Sequence, residues 1–343
     1  MKIDAVAHCF PQKKLANSDI IDLFREASRP LHSPSSWEEI ERHLAGFLKM
    51  AGSQSRYVAS KNESPLDLAV AACRAALEQT GLAREGIELL VYASVSRGWL
   101  EPCTAVGVQK KLGAANATSF DVLDACASWL RALQVTYGLL KSGAYKNALI
   151  VSVEAGMSDF VQFELSDIKA LERYGAASTL GNAATATVIS ATPSDDFYFV
   201  FRTHCADMDL CMMPLSNFSV FMPEEKNAPM PNKFMANSAP LLRKTLSHLV
   251  ETFKQDAYLR NLKYDITFSH AVSAGVWRLF CQAAGLPLDI HYGTFAECGN
   301  TAAASVPLGM SLALEHGRLR RGQRVGIAVG SAGITVGLAT FTF

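Results

Sequence analysis

The chain has 343 residues, which is enough for two domains of ordinary size or for one large duplicated domain. Apolar residues make up 49% of it, and 32 Lys and Arg balance 32 Asp and Glu. This composition excludes a largely disordered chain and disfavours a nucleic-acid binder, which would carry an excess of basic residues. No apolar run reaches the length of a bilayer span, and the start, MKIDAVAHCFPQKK, lacks the apolar stretch of a signal peptide. We therefore expect a cytoplasmic protein without a membrane partner.

Eight cysteines are spread through the chain without any Cys-X-X-Cys pair, at positions 9, 73, 103, 126, 205, 211, 281 and 298. This distribution is typical of reduced thiols and argues against disulfides and against a zinc site. We predict no metal site, and any cysteine with a function should act as a thiol.

The two halves of the chain repeat one order of elements. An amphipathic helix over 64–79 leads to an apolar run at 87–95, and a second helix over 239–253 leads to an apolar run at 264–268. Each half then continues with further helices and strands. The repetition predicts a layered α/β protein built from two similar halves.

Other apolar runs describe the sheets. The runs at 148–153 and 325–329 are nearly continuous, as in strands of parallel-rich sheets that helices cover on both faces. We place the boundary between the halves at 190, so that residues 1–190 form the first and 191–343 the second.

Two stretches interrupt the repeated pattern. Residues 25–55 predict a loop followed by an amphipathic helix from an N-cap at Ser36 to Leu48. Residues 205–237 hold four of the 13 prolines and six of the ten methionines, which predicts irregular structure. A long apolar loop of this kind forms either a pocket wall or a subunit interface, and both alternatives stay open.

The first candidate for chemistry is Cys126. A strand over 120–123 leads into it, and a helix is predicted to start at once. At a helix N-terminus the unpaired N–H groups favour a thiolate, so the expected pKa is lower than that of an ordinary cysteine. A buried, inert cysteine is the alternative. The small neighbours, Ala125, Ala127 and Ser128, favour a nucleophile because they leave room for a substrate.

Two polar residues follow predicted strand ends or turns in the second half. His270 lies at the carboxyl end of a strand, where open α/β sheets bind ligands, although a structural histidine is also common there. Asn300 follows Gly299 and precedes a helix predicted over 302–316, so it is either an amide donor or a helix cap. The turn at 330–333 consists of small residues whose N–H groups can point into the same site.

These segments together resemble the β-ketoacyl-acyl-carrier-protein synthase III branch of the thiolase superfamily. The resemblance covers nearly the whole chain in order and is carried by DACASW with SGAYKNALIVSVE, by His270, by GNTAAASVPLGMSLALEHGRLRRGQRV and by GSAGITVG. It implies the thiolase fold, five αβαβα layers from two similar halves, and a homodimer. It also implies a catalytic set of Cys126, His270 and Asn300, with an oxyanion hole formed by the amides of Cys126 and Ala332.

The resemblance implies a reaction as well. A Cys126 thiolate takes an acyl group from a thioester, and His270 and Asn300 donate hydrogen bonds to a second substrate while it forms an enolate. The acyl groups would arrive as phosphopantetheine or coenzyme A thioesters, with an acyl carrier protein as the expected partner and no other cofactor.

The sequence departs from this family around the histidine. The usual Pro-His-Gln-Ala-Asn is replaced by residues 269–273, SHAVS, and Gly275 stands where a basic residue of the carrier-protein patch is expected. The Gly-rich ending is loosened to Ser331-Ala332. These departures put ordinary fatty-acid initiation in doubt and indicate a remodelled pocket.

Glu101 is a further departure, 25 positions before Cys126 and directly before Pro102. The family has an apolar side chain there that lines the partner's active site. A carboxylate in such a water-poor site is a competent base for the acidic α-carbon of a β-ketoacyl thioester. In this respect the chain resembles ketosynthases that fuse two acyl chains into α-pyrones. An exposed loop glutamate is the alternative.

We therefore predict a homodimeric ketosynthase of polyketide secondary metabolism that makes an α-pyrone. Three other functions remain open at this point. They are a decarboxylating synthase that uses malonyl thioester, an acyltransferase to an alcohol or amine, and an inactive scaffold subunit.

Overall fold

The computed structural model describes residues 1–155, 157–193, 196–224 and 229–343. The elements of its first part are β1 (Lys2–Cys9), β2 (Lys13–Ala16), α1 (Asn17–Ser28), α2 (Pro34–Ala51), β3 (Ser55–Val58), α3 (Pro65–Thr80), β4 (Leu89–Tyr92), α4 (Thr104–Leu112), β5 (Thr118–Asp121), α5 (Ser128–Lys141), β6 (Asn147–Glu154), α6 (Ile168–Tyr174) and β7 (Ala183–Ser190).

The elements of the second part are β8 (Tyr198–Thr203), β9 (Cys211–Met212), α7 (Phe218–Phe221), β10 (Met235–Ala236), α8 (Ser238–Gln255), α9 (Ala257–Asn261), β11 (Ile266–Ser269), α10 (Ala274–Ala284), α11 (Phe295–Cys298), α12 (Ser305–Glu315), β12 (Arg324–Ser331) and β13 (Thr335–Thr342). Short 3-10 turns lie at Arg29–Leu31, Arg84–Gly86, Met157–Phe160, Gly175–Thr179, Cys205–Leu210 and Ala302–Ala304. No helix within the described ranges is both long and apolar enough to cross a membrane.

Two mixed sheets form the centre of the molecule. The first has the order β1-β7-β6-β4-β5, in which β4 runs parallel to β5 and β6 while β7 runs antiparallel to β6 and β1. The second has the order β11-β12-β13-β8, with only β11 and β12 parallel. The expectation of parallel-rich sheets was therefore wrong in part. Burial on both faces makes an apolar run continuous whichever way the neighbouring strand points.

Helices cover and separate the sheets in five layers. Side chains of α3 and α4 pack on one face of the first sheet, and those of α8 and α10 pack on the outer face of the second sheet. Between the sheets, Trp129 and Leu133 of α5 and Val306 and Met310 of α12 share one core with strands of both. This arrangement confirms the predicted αβαβα fold.

The two interrupting stretches are partly as predicted. Residues 25–28 belong to α1, and α2 begins two residues before the expected cap, with Ser33 as its N-cap, so both of those expectations were wrong. A proline in the first helical turn fits there because its missing N–H has no partner to lose. The described part of 205–237 is mostly irregular, whereas its residues 225–228 lie outside the described ranges.

Candidate active site

One cavity brings together four of the predicted site residues. Cys126, His270, Asn300 and Ala332 line it, although they come from segments that are far apart in the chain. Its volume is about 100 Å³, and it lies at the carboxyl ends of β11 and β12. The fifth predicted residue, Glu101, does not line this cavity.

A tight turn presents Cys126. The chain leaves β5 at Asp121, and α5 begins at Ser128, two residues later than Cys126. Within the turn Ala125 has a φ of +44°, a left-handed conformation that is strained for an alanine. The Ser128 hydroxyl holds this shape because it accepts from the Asp124 N–H at 2.8 Å and donates to the Ala125 carbonyl at 2.6 Å.

A hydrogen-bonded bridge joins this turn to the second half. The buried Ser331 hydroxyl donates to the Asp124 carbonyl at 2.8 Å and accepts from the Ala127 N–H at 3.3 Å. Ser331 directly precedes Ala332, whose amide is the predicted oxyanion donor. The nucleophile and the oxyanion turn are therefore fixed relative to each other by one side chain, which sequence analysis noted only as a departure from glycine.

The electrostatics of Cys126 correct the expectation of a low thiol pKa. Burial in the apolar cavity raises the pKa of Cys126 well above its usual value, and the nearby Cys211, Glu154 and Asp124 act in the same direction. The helix start lies beyond the cysteine, and desolvation of the thiolate outweighs its effect. The resting nucleophile is consequently a neutral thiol that needs a proton acceptor.

Glu154, at the end of β6, is a buried carboxyl group that sequence analysis did not single out. It accepts hydrogen bonds from the Val95 N–H at 3.0 Å, the Ser96 N–H at 3.2 Å and the Ser96 hydroxyl at 2.8 Å. Burial raises the pKa of Glu154, while these hydrogen bonds act to lower it. An acidic residue at the end of an otherwise apolar strand was the available signal.

His270 is held by contacts at both ring nitrogens. Its Nδ1 lies 2.7 Å from the Gly330 carbonyl, which can only accept, so Nδ1 carries the proton of the neutral ring. Its Nε2 lies 3.1 Å from Asn300 Oδ1. Burial lowers the pKa of His270, and the contacts with Asn300 and Gly330 act to raise it. The neutral ring therefore carries no proton on Nε2, and the contact with Asn300 Oδ1 becomes a hydrogen bond when Nε2 takes up a proton.

Asn300 is not the helix cap that its spacing suggested, because α12 begins at Ser305 with Ala304 as its N-cap. Its side-chain Oδ1 accepts from the Ala302 N–H at 2.9 Å. Because Oδ1 is the acceptor in this bond, the Nδ2 amide group is left as the hydrogen-bond donor of the side chain. Asn300 thus offers an N–H that can serve a substrate oxygen.

Two glycines make this position of Asn300 possible. The Asn300 N–H donates to the Thr179 carbonyl at 2.8 Å, and the Asn300 carbonyl accepts from the Gly181 N–H at 2.9 Å. A Cβ on Gly181 would lie 1.9 Å from the Cys298 carbonyl oxygen, and a Cβ on Gly299 would lie 2.5 Å from that of Thr179. The two segments can approach this closely only without side chains.

Glu101 lies on the surface of the single chain, in the loop between β4 and α4. Trp99 and Leu100, the two residues before it, are also exposed, with 37% and 68% of their surface accessible to solvent. An exposed carboxylate beside exposed apolar side chains is compatible with an interface loop, and the single chain alone gives this side chain no contact with the cavity.

The segment over 205–237 contributes residues to the cavity that sequence analysis missed. Cys211 of β9 and Phe234, next to β10, line the catalytic cavity. Met212 and Met235, their neighbours in the antiparallel β9–β10 pair, line a separate surface groove. The β9–β10 pair is therefore a wall between the two spaces, which supports the pocket-wall alternative for this part of the segment.

Comparison with known families agrees with this geometry. The family model of 3-oxoacyl-[acyl-carrier-protein] synthase III matches residues 120–207. The model of the C-terminal part of the same enzyme matches residues 255–343. Together the two matches span just over half of the chain. The chain therefore belongs to the 3-oxoacyl-[acyl-carrier-protein] synthase III family, whose members are condensing enzymes of the thiolase superfamily.

Relatives with the same name match this chain along most of their length. A β-ketoacyl-[acyl-carrier-protein] synthase III of Clostridium perfringens is 27% identical over 321 residues, covering 90% of this chain and 96% of the relative. A protein of the same name from Aliarcobacter butzleri is 29% identical over 303 residues, covering 86% and 88%.

Solved structures show the same fold at lower identity. OleA of Xanthomonas campestris, in a cysteine variant with bound lauric acid and lauroyl-CoA, matches with a TM-score of 0.82 and 23% identity, covering 99% of this chain and 98% of OleA. The 3-oxoacyl-[acyl-carrier-protein] synthase III of Aquifex aeolicus matches with a TM-score of 0.82 and 19% identity, covering 100% and 99%. These structures support the fold, and the family match places the chain among ketosynthases that form carbon–carbon bonds.

The raised pKa of Cys126 predicts how its reactivity depends on pH. The rate of alkylation by iodoacetamide should still increase above pH ~8.5, where an ordinary thiol is half ionised. Peptide mass spectrometry can follow Cys126, with the exposed Cys205 as an internal reference and Cys126→Ala as the blank. A rate that is already constant below neutral pH would contradict the burial argument.

The Ser331 bridge predicts a coupled loss of stability and activity. Ser331→Ala removes both hydrogen bonds, which should lower the free energy of unfolding by about 1–3 kcal/mol. Urea denaturation measures this loss. Acylation of Cys126 should also slow by about tenfold because the oxyanion turn is no longer fixed, which corresponds to about 1.4 kcal/mol.

Ser178→Ala is the matched control for this experiment. Ser178 is equally buried, and its hydroxyl donates to the Gly175 carbonyl at 2.6 Å within a local turn. It should lose stability without slowing acylation. Equal acylation rates in the two variants would mean that Ser331 only stabilises the fold.

Proposed function

We propose that this enzyme takes an acyl chain onto Cys126 and joins it by Claisen condensation to a second β-ketoacyl thioester, giving an α-pyrone. The observation that carries the proposal is the shared cavity of Cys126, His270, Asn300 and Ala332. A thiol nucleophile, a proton acceptor, an amide donor and a backbone oxyanion donor are the groups that acyl transfer and enolate formation require.

The first step is acylation. The Cys126 sulfur attacks the thioester carbonyl of the first chain, and its proton passes to Nε2 of His270, the unprotonated nitrogen of the neutral ring. The oxyanion accepts hydrogen bonds from the amides of Cys126 and Ala332. When the carbonyl re-forms, the carrier sulfur leaves as a thiolate and takes a proton from solvent, so Nε2 of His270 keeps the proton from Cys126. Cys126 then holds the chain as a thioester.

The second step forms the carbon–carbon bond. A base removes the acidic α-proton of the second β-ketoacyl thioester, and the enolate oxygen accepts hydrogen bonds from the protonated Nε2 of His270 and from the Asn300 amide. The carbanion attacks the Cys126 thioester, and the released sulfur takes the proton from His270, which restores the neutral thiol and the neutral ring. An enol oxygen of the joined chain then attacks the remaining thioester carbonyl, which closes the lactone and expels the second carrier thiol.

We assign the base to Glu101 of a second copy of the chain. Within one chain its carboxylate is exposed, next to the exposed apolar side chains of Trp99 and Leu100, as a residue that reaches across a homodimer interface would be. Variants of OleA at one glutamate are among the similar structures, and that glutamate stands 26 positions before the cysteine exchanged in other OleA variants. Glu101 stands 25 positions before Cys126.

The donors follow from the same proposal. Acyl groups reach Cys126 as thioesters of coenzyme A or of an acyl carrier protein, and the enzyme needs no other cofactor. The names of the related synthases include the acyl carrier protein, and lauroyl-CoA is bound in an OleA structure. Incubation with each kind of β-ketoacyl thioester, followed by mass spectrometry of the products, tests both donors and the pyrone.

A decarboxylating synthase is the second candidate, and the names of the curated relatives favour it. In that reaction loss of carbon dioxide from a malonyl thioester generates the carbanion, so no carboxylate base is required. Product analysis with malonyl thioester as the second substrate separates the two reactions.

The roles of His270 and Asn300 predict which step each replacement affects. His270→Ala or Asn300→Ala should reduce condensation by about 10²-fold or more, because each loses a group that stabilises the enolate. Some acylation of Cys126 should survive, which intact-mass analysis measures. If both variants condense at the normal rate, the two residues are structural.

The role of Glu101 predicts a selective loss. Glu101→Gln keeps the size of the side chain but removes the base, so acylation of Cys126 should persist while the fusion of two β-ketoacyl chains stops. Unchanged fusion would remove Glu101 from the mechanism and favour the decarboxylating reaction.

A mixed dimer tests whether Glu101 serves the other subunit. Heterodimers of Cys126→Ala and Glu101→Gln chains contain one site with both an intact cysteine and an intact glutamate from the partner. Partial activity should return, although each parent homodimer is inactive. Verified heterodimers without activity would place Glu101 in its own subunit or outside catalysis.

A further inference from the structure

The catalytic cavity continues beyond the reacting groups into the space between α8 and α10. Its walls there are apolar and are formed by Leu241, Leu242, Leu249, Val276, Trp277 and Phe280. Among the described residues, no Lys, Arg, Asp or Glu side chain lines it. The cavity is thus polar at Cys126 and His270 and apolar at its far end, as a pocket for a thioester with an alkyl chain would be.

A smaller cavity of about 20 Å³ lies behind this far end. The two cavities share Trp277, Phe280 and Ala328 as lining residues. Phe253, Leu259 and other apolar side chains enclose the smaller one. Trp277 and Phe280 therefore form a partition with space for a ligand on one side and unfilled apolar space on the other.

The partition is held by packing. Trp277 is 8% exposed, its ring stacks on His291 with centroids 4.1 Å apart, and its centroid lies 5.1 Å from that of Phe280. Its indole N–H has no hydrogen-bond partner among the described residues. Since no hydrogen bond explains this large side chain, its shape and volume are what it contributes to the site.

We propose that the space between α8 and α10 binds the alkyl chain of an acyl thioester, and that Trp277 and Phe280 are the floor that limits its length. The inference rests on the proposed acylation of Cys126 and adds the feature that selects the chain. Longer chains are excluded because their ends would overlap the two rings. A smaller residue at either position joins the two cavities and extends the site.

The test compares acylation of Cys126 by a series of saturated acyl-CoA thioesters from butyryl to palmitoyl. Trp277→Leu and Phe280→Leu should each shift the longest accepted chain upward, with the rate for long relative to short chains raised at least tenfold. Val276→Phe, which fills the cavity from the α10 side, should shift the limit downward. Phe24 is a buried aromatic residue of the α1–α2 core, so Phe24→Leu is the matched control. It should leave the dependence of the acylation rate on chain length unchanged.

The outcomes separate this inference from the proposed function. If the wild-type protein forms no Cys126 adduct with any thioester, the proposed function fails. If it forms adducts but folded Trp277→Leu and Phe280→Leu both keep the wild-type length profile, the partition does not set the limit and the inference is overturned. Should one of these variants fail to fold, the other and Val276→Phe decide, and an unchanged profile in both overturns the inference.

Discussion

The site depends on one turn of the second half, between β12 and β13, docking on the Cys126 turn of the first half. Three consecutive residues of that turn act on different parts of the site. The Gly330 carbonyl orients the His270 ring, the Ser331 hydroxyl binds the Asp124 carbonyl and the Ala127 N–H, and Ala332 presents its amide. β12 lies parallel to β11, which ends just before His270, so packing of the two halves aligns the nucleophile, the histidine and the oxyanion donor at once.

Burial sets the chemical state of this aligned site. It raises the pKa of Cys126 and lowers that of His270, so both groups are neutral at rest. A charged pair inside the cavity would be costly to desolvate, and charge therefore develops only when a substrate oxygen can share it with the amides. Glu154 reinforces the neutral thiol, because a carboxylate close to a sulfur disfavours the thiolate.

Local pattern predicted a layered α/β fold and marked Cys126, His270 and Asn300 as candidates, and the family resemblance supplied the five layers and joined the three residues into one set. Apolar runs identify buried strands, and Cys126, His270 and Asn300 each follow a strand or a glycine turn. Strand direction in the mixed sheets was not predictable from burial on both faces. The Ser331 bridge, the hydrogen bonds of Glu154 and the Trp277 partition join distant segments, and periodicity carries no information about such contacts. The thiol pKa was misjudged since helix position is visible in sequence and desolvation is not.

The two candidate reactions, condensation without and with decarboxylation, differ in whether they require a base. No carboxylate of the described residues lines the cavity, and the buried Glu154 carboxylate, which acts on the Cys126 thiol, accepts three hydrogen bonds from Val95 and Ser96. A non-decarboxylating condensation therefore needs a base other than a carboxylate of the cavity lining, which in our proposal is Glu101 of a second copy, whereas a decarboxylating one needs none. Glu101 is exposed beside apolar side chains, and burying it against a second copy would bring a carboxylate into an apolar setting that strengthens it as a base. In our proposal, Glu101 therefore acts as a base only where a second copy of the chain buries it.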